Sequence, residues 1–286
     1  MRFLFVDRIA EIKGKHILGE RLFSLSEPLR FTEENGQTRL CQGVVAEAIG
    51  QLASWLALRD NDFTGRPVFL FADRIAVHGP VQPGQRVQLE AHIDHLDEDS
   101  FRFSGRAFVD GQMIQEIQEC SGAFMELSKM EDPEVCRRRF HDLTNGGLVL
   151  EGVEGKPYPL QELVGEQEGT SEDATFQIKI PEEAPFFADH FPRHPVTPIV
   201  VLNELIGVAA SRMLNGERGM RLVPQAISAI KIRSFVKPGE TIAVRLRRDQ
   251  SVAGAEHYVL RAELLRGGRP ILRGRYAYEK TVGGIH

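Results

Sequence analysis

The sequence predicts an α+β protein of two similar units, each a long buried helix followed by an antiparallel meander. Three landmarks predict it. Glu47 and Glu204 each lie inside an apolar helical run and stand 157 positions apart (204 − 47). The turns Val81-Gln82-Pro83-Gly84 and Val236-Lys237-Pro238-Gly239 are offset by 155 (238 − 83), and the hairpin glycines Gly111 and Gly268 by 157 (268 − 111). Nearly one offset at three independent places signals a tandem duplication. The units are then residues 1–127 and 157–286, joined by a linker over 128–156.

Phe3-Leu4-Phe5-Val6-Asp7-Arg8-Ile9 opens the chain as an apolar segment, and Gly14 to Leu25 reads as the next strand. Cys41 to Leu56 is apolar nearly all round, the pattern of a core helix, with Glu47 embedded in it. Val68 to Ile75 reads as a strand, and Val87, Leu89, Ala91 and Ile93 alternate with polar residues. Phe101 to Val109 and Met113 to Phe124 flank Asp110-Gly111, a strong hairpin turn signal. In the linker, Asp132-Pro133 predicts a helix start and Asn145-Gly146-Gly147 a stop. With Arg137-Arg138-Arg139 between them, the segment reads as a solvated helix.

The second unit opens its helix differently. Asp189-His190-Phe191-Pro192-Arg193-His194-Pro195-Val196-Thr197-Pro198 carries three prolines, which exclude a helix through His190 because each fixes φ and lacks an N–H. The helix can start only at Ile199 and runs through Glu204 and Val208. A carboxylate in so apolar a helix is costly unless paired or protonated, which marks both Glu47 and Glu204 as candidates for chemistry. His190 and His194 have a four-residue spacing, but that makes a metal-binding face only on a helix, which Pro192 forbids. Trp55 reads as core.

Composition narrows the field. With 286 residues, 42% of them hydrophobic, the chain can build a sizeable core, and a formal charge of −5 gives no electrostatic case for nucleic acid. No apolar run is long enough for a membrane span, and no signal peptide is read before Phe3. Cys41, Cys120 and Cys136 form no metal or disulfide pattern, so the expected compartment is the reducing cytoplasm.

These motifs resemble the β-hydroxyacyl-[acyl carrier protein] dehydratases of fatty-acid synthesis. That family carries His-Phe-Pro-Gly-x-Pro-Val-Met-Pro-Gly, followed by a helical Glu-Ala-x-x-Gln. Here Glu204 follows His190 by fourteen positions (204 − 190), as the family's glutamate follows its histidine. The resemblance spans nearly the whole chain in two copies. It implies a double hotdog, each long helix wrapped by a curved antiparallel sheet, packed as an intrachain pseudo-dimer. The first copy keeps Glu47-Ala48-Ile49-Gly50-Gln51 but has Glu33 at the histidine position. The second keeps His190-Phe191-Pro192 but has Val208 for the glutamine, Arg193 for a glycine and Ile199 for the glycine at the helix start. Because the family pairs a histidine with its partner subunit's glutamate, the resemblance implies one site of His190 with Glu47 and Gln51. Glu204 and Glu33 would form a vestigial site.

Eliminating water from a 3-hydroxyacyl thioester needs a base at the α-carbon, expected to be His190, and an acid at the hydroxyl, expected to be Glu47. Gln51, Phe191, Pro198 and Ile199 are expected to position substrate, without cofactor or metal. The expected partner is acyl carrier protein bearing a phosphopantetheine-linked chain, with Arg193, Lys231, Arg233 and Lys237 as docking candidates. Pseudo-dimers can assemble further. Two rival readings stand: a non-catalytic acyl-thioester-binding or partner subunit, and a hotdog thioesterase using Glu47 to activate water.

Overall fold

The computed structural model describes residues 3–24, 27, 29–32, 38–148, 158–214, 220–251 and 257–282. Twelve strands form one antiparallel sheet, and a short hairpin of β3 (Arg30–Thr32) and β4 (Thr38–Leu40) stands apart from it. The first half supplies β1 (Arg8–Lys13), β2 (His16–Leu22), β5 (Gly65–Val77), β6 (Arg86–Leu96), β7 (Ser100–Val109) and β8 (Gln112–Glu126). The second supplies β9 (Val164–Gly169), β10 (Asp173–Lys179), β11 (Met220–Ile232), β12 (Thr241–Arg248), β13 (His257–Arg266) and β14 (Arg269–Val282). Their order, β1-β2-β6-β7-β8-β5-β11-β14-β13-β12-β10-β9, reads the same way outward from the β5–β11 seam in both halves.

The register at that seam carries the duplication down to single residues. Adding 155 to a β5 number gives its counterpart in β11 (220 − 65). Under that exchange the pair Ala76 with Ala226 becomes Lys231 with Phe71, and Ile75 with Ile227 becomes Ile230 with Ala72. Both derived pairs are present. Asp110 and Gly111 turn the β7–β8 hairpin with φ of +49° and +77°, the left-handed pair that a two-residue turn matched to sheet twist requires.

Each half wraps one long helix, α1 (Gly43–Asp60) or, after the linker's two helices, α4 (Ile199–Leu214). Val44, Val45, Ile49, Leu52 and Leu56 of α1 and Val201, Leu205 and Ile206 of α4 are buried. Each such side chain contributes about 1.5–3 kcal/mol on burial, so the helices are held by the sheet rather than by their own propensity. The helices approach closely where α1 begins: a Cβ on Gly43 would stand 2.5 Å from Val200 Cγ2. Only a residue without a side chain fits there.

The linker departs from expectation. It holds α2 (Leu127–Met130) and α3 (Pro133–Thr144), the latter capped by Asp132, whose side chain accepts from Glu134 N at 2.9 Å. The start is as the sequence reads, but the helix is not simply solvated. Cys136 and Leu143 are buried, Phe140 packs against Trp55 and Phe63, and the Arg137 guanidinium lies over the Phe63 ring. Trp55 is core, as expected.

Candidate active site

His190 lies on the irregular approach to α4, as its prolines dictate. Its Nδ1 is 3.1 Å from the Val196 carbonyl oxygen. A carbonyl can only accept, so Nδ1 carries the proton and the Nε2 lone pair is left for chemistry. Phe191 beside it has φ of +57°, left-handed for a bulky residue, a strain of order 1–3 kcal/mol that persists only where surroundings fix it. The Phe3 ring stands edge-on to the imidazole at 5.0 Å, and Phe3 N donates to Asp189 Oδ2 at 3.3 Å.

Glu47 comes from the first turns of α1, with Gln51 one turn further along the same face. Gln51 Oε1 accepts from Phe5 N at 2.8 Å, which fixes the carboxamide so that Nε2 donates to Glu47 Oε1 at 2.9 Å. The opening segment therefore steadies both halves of the site.

His190, Glu47 and Gln51 line one cavity of about 670 Å³, together with Phe191 and Ile199. A second cavity, about 540 Å³, shares Glu47, Phe69, Ile199 and Ile232 with the first and is otherwise mostly apolar, with Phe71, Ile75, Phe103 and Ile117 among its walls. Both spaces have mainly apolar walls; the first adds the histidine, carboxyl and carboxamide, and the adjoining one suits an alkyl chain.

Burial sets the protonation states. Desolvation pulls the His190 imidazole down to about 3, against the opposing Val196 hydrogen bond, and the Arg66 charge lowers it further. Desolvation raises the Glu47 carboxyl above its ordinary range, against the Gln51 hydrogen bond and the Arg66 charge. A neutral imidazole thus shares the cavity with a carboxyl biased toward its protonated form.

Glu204 is buried as deeply and is raised to about 7 by desolvation, against the Gly43 amide and Cys41 thiol. Its Oε1 accepts from Gly43 N at 3.4 Å, at the start of α1, and it lines neither cavity. Glu33 lies outside the described residues. Pro198 does not line the cavities either; its carbonyl accepts from Leu202 N at 3.1 Å as α4 begins. Lys231, Arg233 and Lys237 are exposed, beside Ile232, Ser234 and Val236 of the cavity wall. Arg193, the fourth docking candidate, is exposed as well. Its guanidinium is engaged inside the chain, donating to Ser128 O at 2.8 Å and Asp132 Oδ2 at 3.1 Å.

Among the lining residues that the sequence does not signal as site residues, Arg66 and Thr197 bring polar groups to the cavity. Arg66 lies over the Phe191 ring and donates through Nη1 to Glu131 Oε1 at 2.5 Å. Thr197 stands where the resembled motif has methionine and brings a hydroxyl to the cavity. Arg66 Nε and Thr197 Oγ1 are buried and have no hydrogen-bond partner among the described residues. Thr197 was visible as a departure from the motif, whereas nothing near Arg66 in sequence signals the site.

A family model described as ApeI-like dehydratase matches residues 166–263, within the second unit. The 3-hydroxyacyl-[acyl-carrier-protein] dehydratase FabZ of Syntrophobacter fumaroxidans is 30% identical over 118 residues, 41% of this chain and 80% of that protein. The dehydratase domain of RzxB from Pseudomonas fluorescens superposes with a TM-score of 0.59 at 15% identity, over 98% of this chain and 100% of that one. An acyl-ACP thioesterase from Bacteroides thetaiotaomicron also superposes, with a TM-score of 0.53 at 12% identity over 93% and 98%. At such identities the structural likenesses establish the doubled hotdog architecture and leave the chemistry to the site.

Proposed function

Because the chain belongs to the 3-hydroxyacyl-[acyl-carrier-protein] dehydratase family, we propose that it removes water from a 3-hydroxyacyl thioester at a single site shared between its two halves. His190 Nε2 takes a proton from the α-carbon, Glu47 protonates the departing 3-hydroxyl, and the products are the trans-2-enoyl thioester and water. The Ile199 amide, in the first turn of α4 where N–H groups lack helical partners, faces the charge that gathers on the thioester oxygen. Thr197 Oγ1 and Arg66 Nε are further donors for substrate oxygens, and the second cavity takes the alkyl chain.

One observation carries this reading: an imidazole from the second half and a carboxyl from the first line the same cavity, while Glu204 lines neither. The test is incubation with 3-hydroxyacyl carrier thioesters of graded length, followed by mass. Loss of one water is the expected result. Release of free thiol would instead mark a thioesterase, and saturable binding without turnover a non-catalytic subunit.

The substrate's carrier is acyl carrier protein, with Lys231, Arg233 and Lys237 as the docking charges. Reversing two of them, Lys231→Glu with Arg233→Glu, is expected to raise KM for carrier-linked substrate roughly tenfold at low salt, and less as salt screens the contact. The kcat should hold. An unaltered KM across that salt range removes these residues from the docking surface. The protein works in the cytoplasm, a setting supported by its three buried, unpaired cysteines. Among the described residues no helix is long and apolar enough to cross a membrane.

A further inference from the structure

The linker does more than tether the two halves. Its first turns touch the His190 loop at several points. Arg193 N donates to Met130 O at 2.9 Å, and the Arg193 guanidinium donates to Ser128 O and Asp132 Oδ2. Met130 packs in a small buried cluster with Phe191, Val196 and Val68, separate from the main core. Phe191 also takes the Arg66 guanidinium on its ring, and Arg66 is paired with the linker's Glu131, which Arg139 meets from α3 at 3.5 Å. The two residues so gripped are the ones that aim the imidazole: Phe191, with its left-handed backbone, and Val196, whose carbonyl holds Nδ1.

We propose that residues 127–132 are a brace for the catalytic loop, with Arg193 as the latch that engages it. The brace follows β8 of the first half directly and grips the loop of the second, so it ties the two halves together at the site. That gives a physical reason for arginine where the resembled motif has glycine. The left-handed residue in this loop is Phe191, so the backbone at Arg193 does not demand glycine, and a long side chain can reach across to the linker. Arg193 is a positioning residue: it acts on the reaction through the loop that carries His190.

This inference rests on His190 being the base, so its test has two arms. In the kinetic arm, Arg193→Ala is expected to lower kcat by roughly ten- to hundredfold, the scale of a small misplacement of a reacting group, with KM little changed. Arg193→Lys, which can keep one of the two contacts, is expected to fall between. In the second arm, amide hydrogen exchange over residues 186–198 should quicken in Arg193→Ala while that of α1 does not. A KM increase that salt abolishes, with kcat intact, would make Arg193 a docking residue and overturn the brace. If the parent protein shows no turnover that depends on His190, the dehydratase reading fails by itself. The exchange arm then decides alone, and unaltered exchange in Arg193→Ala sinks the brace.

Discussion

His190→Ala is expected to lower kcat by about 10²–10⁴, the usual contribution of a positioned acid or base, with KM barely moved. In the proposed reaction the imidazole meets the α-carbon and adds little to the apolar surface that would bind the chain. The pH dependence follows from the direction of each shift. His190 is held down to about 3 by desolvation, so it is already neutral throughout the physiological range. Glu47 is raised, and only its protonated form can deliver a proton to the hydroxyl. The profile of kcat/KM should therefore lack an acid limb near the ordinary histidine value and fall on the alkaline side as Glu47 ionises. A limb rising through about 6.5 would show a solvated imidazole and contradict the buried site.

A base of such low proton affinity removes an α-proton poorly by itself. The Val196 carbonyl helps, since it stabilises the ring as positive charge develops. The greater help must come from simultaneous departure of the hydroxyl, which spreads the charge instead of letting a carbanion form. The two groups then act as a unit. The double variant His190→Ala with Glu47→Gln is expected to be scarcely worse than either single one, because groups that act together are strongly non-additive.

How much of this was legible depended on how local the signal is. The α4 start at Ile199 was readable because Pro198 forbids an earlier one, and the β7–β8 turn because Asp110-Gly111 favours left-handed φ. The motif halves kept by the two units are legible in the sequence, and His190 and Glu47 line one cavity. Contacts set by tertiary placement were not legible. Phe140 reaches Trp55 and Phe63 across more than half the first unit, so a helix that reads as solvated in charge pattern proves packed. Arg193 is exposed, as a cation in a polar loop reads, but its partners are not legible in the sequence. Its acceptors, Ser128 and Asp132, lie over sixty positions away, and no pattern along the chain announces them. Arg66 was invisible for the same reason.

Glu47→Gln should cost as much as losing His190, about 10²–10⁴ in kcat, while Glu204→Gln should leave kcat close to that of the parent. Protonation alone would leave both as candidates: desolvation raises Glu204 to about 7 and raises Glu47 as well, against the Gln51 hydrogen bond and the Arg66 charge. Position decides between them. Glu47 lines the cavity that holds His190, whereas Glu204 is turned to the Gly43 amide and the Cys41 thiol and lines neither cavity. Glutamine keeps the shape of each side chain and an oxygen able to accept from Gly43, so Glu204→Gln preserves its structural contact. At position 47 the same exchange leaves no ionisable proton to give the hydroxyl. Equal losses from the two variants would mean that both helices serve chemistry, and the single shared site would have to be abandoned.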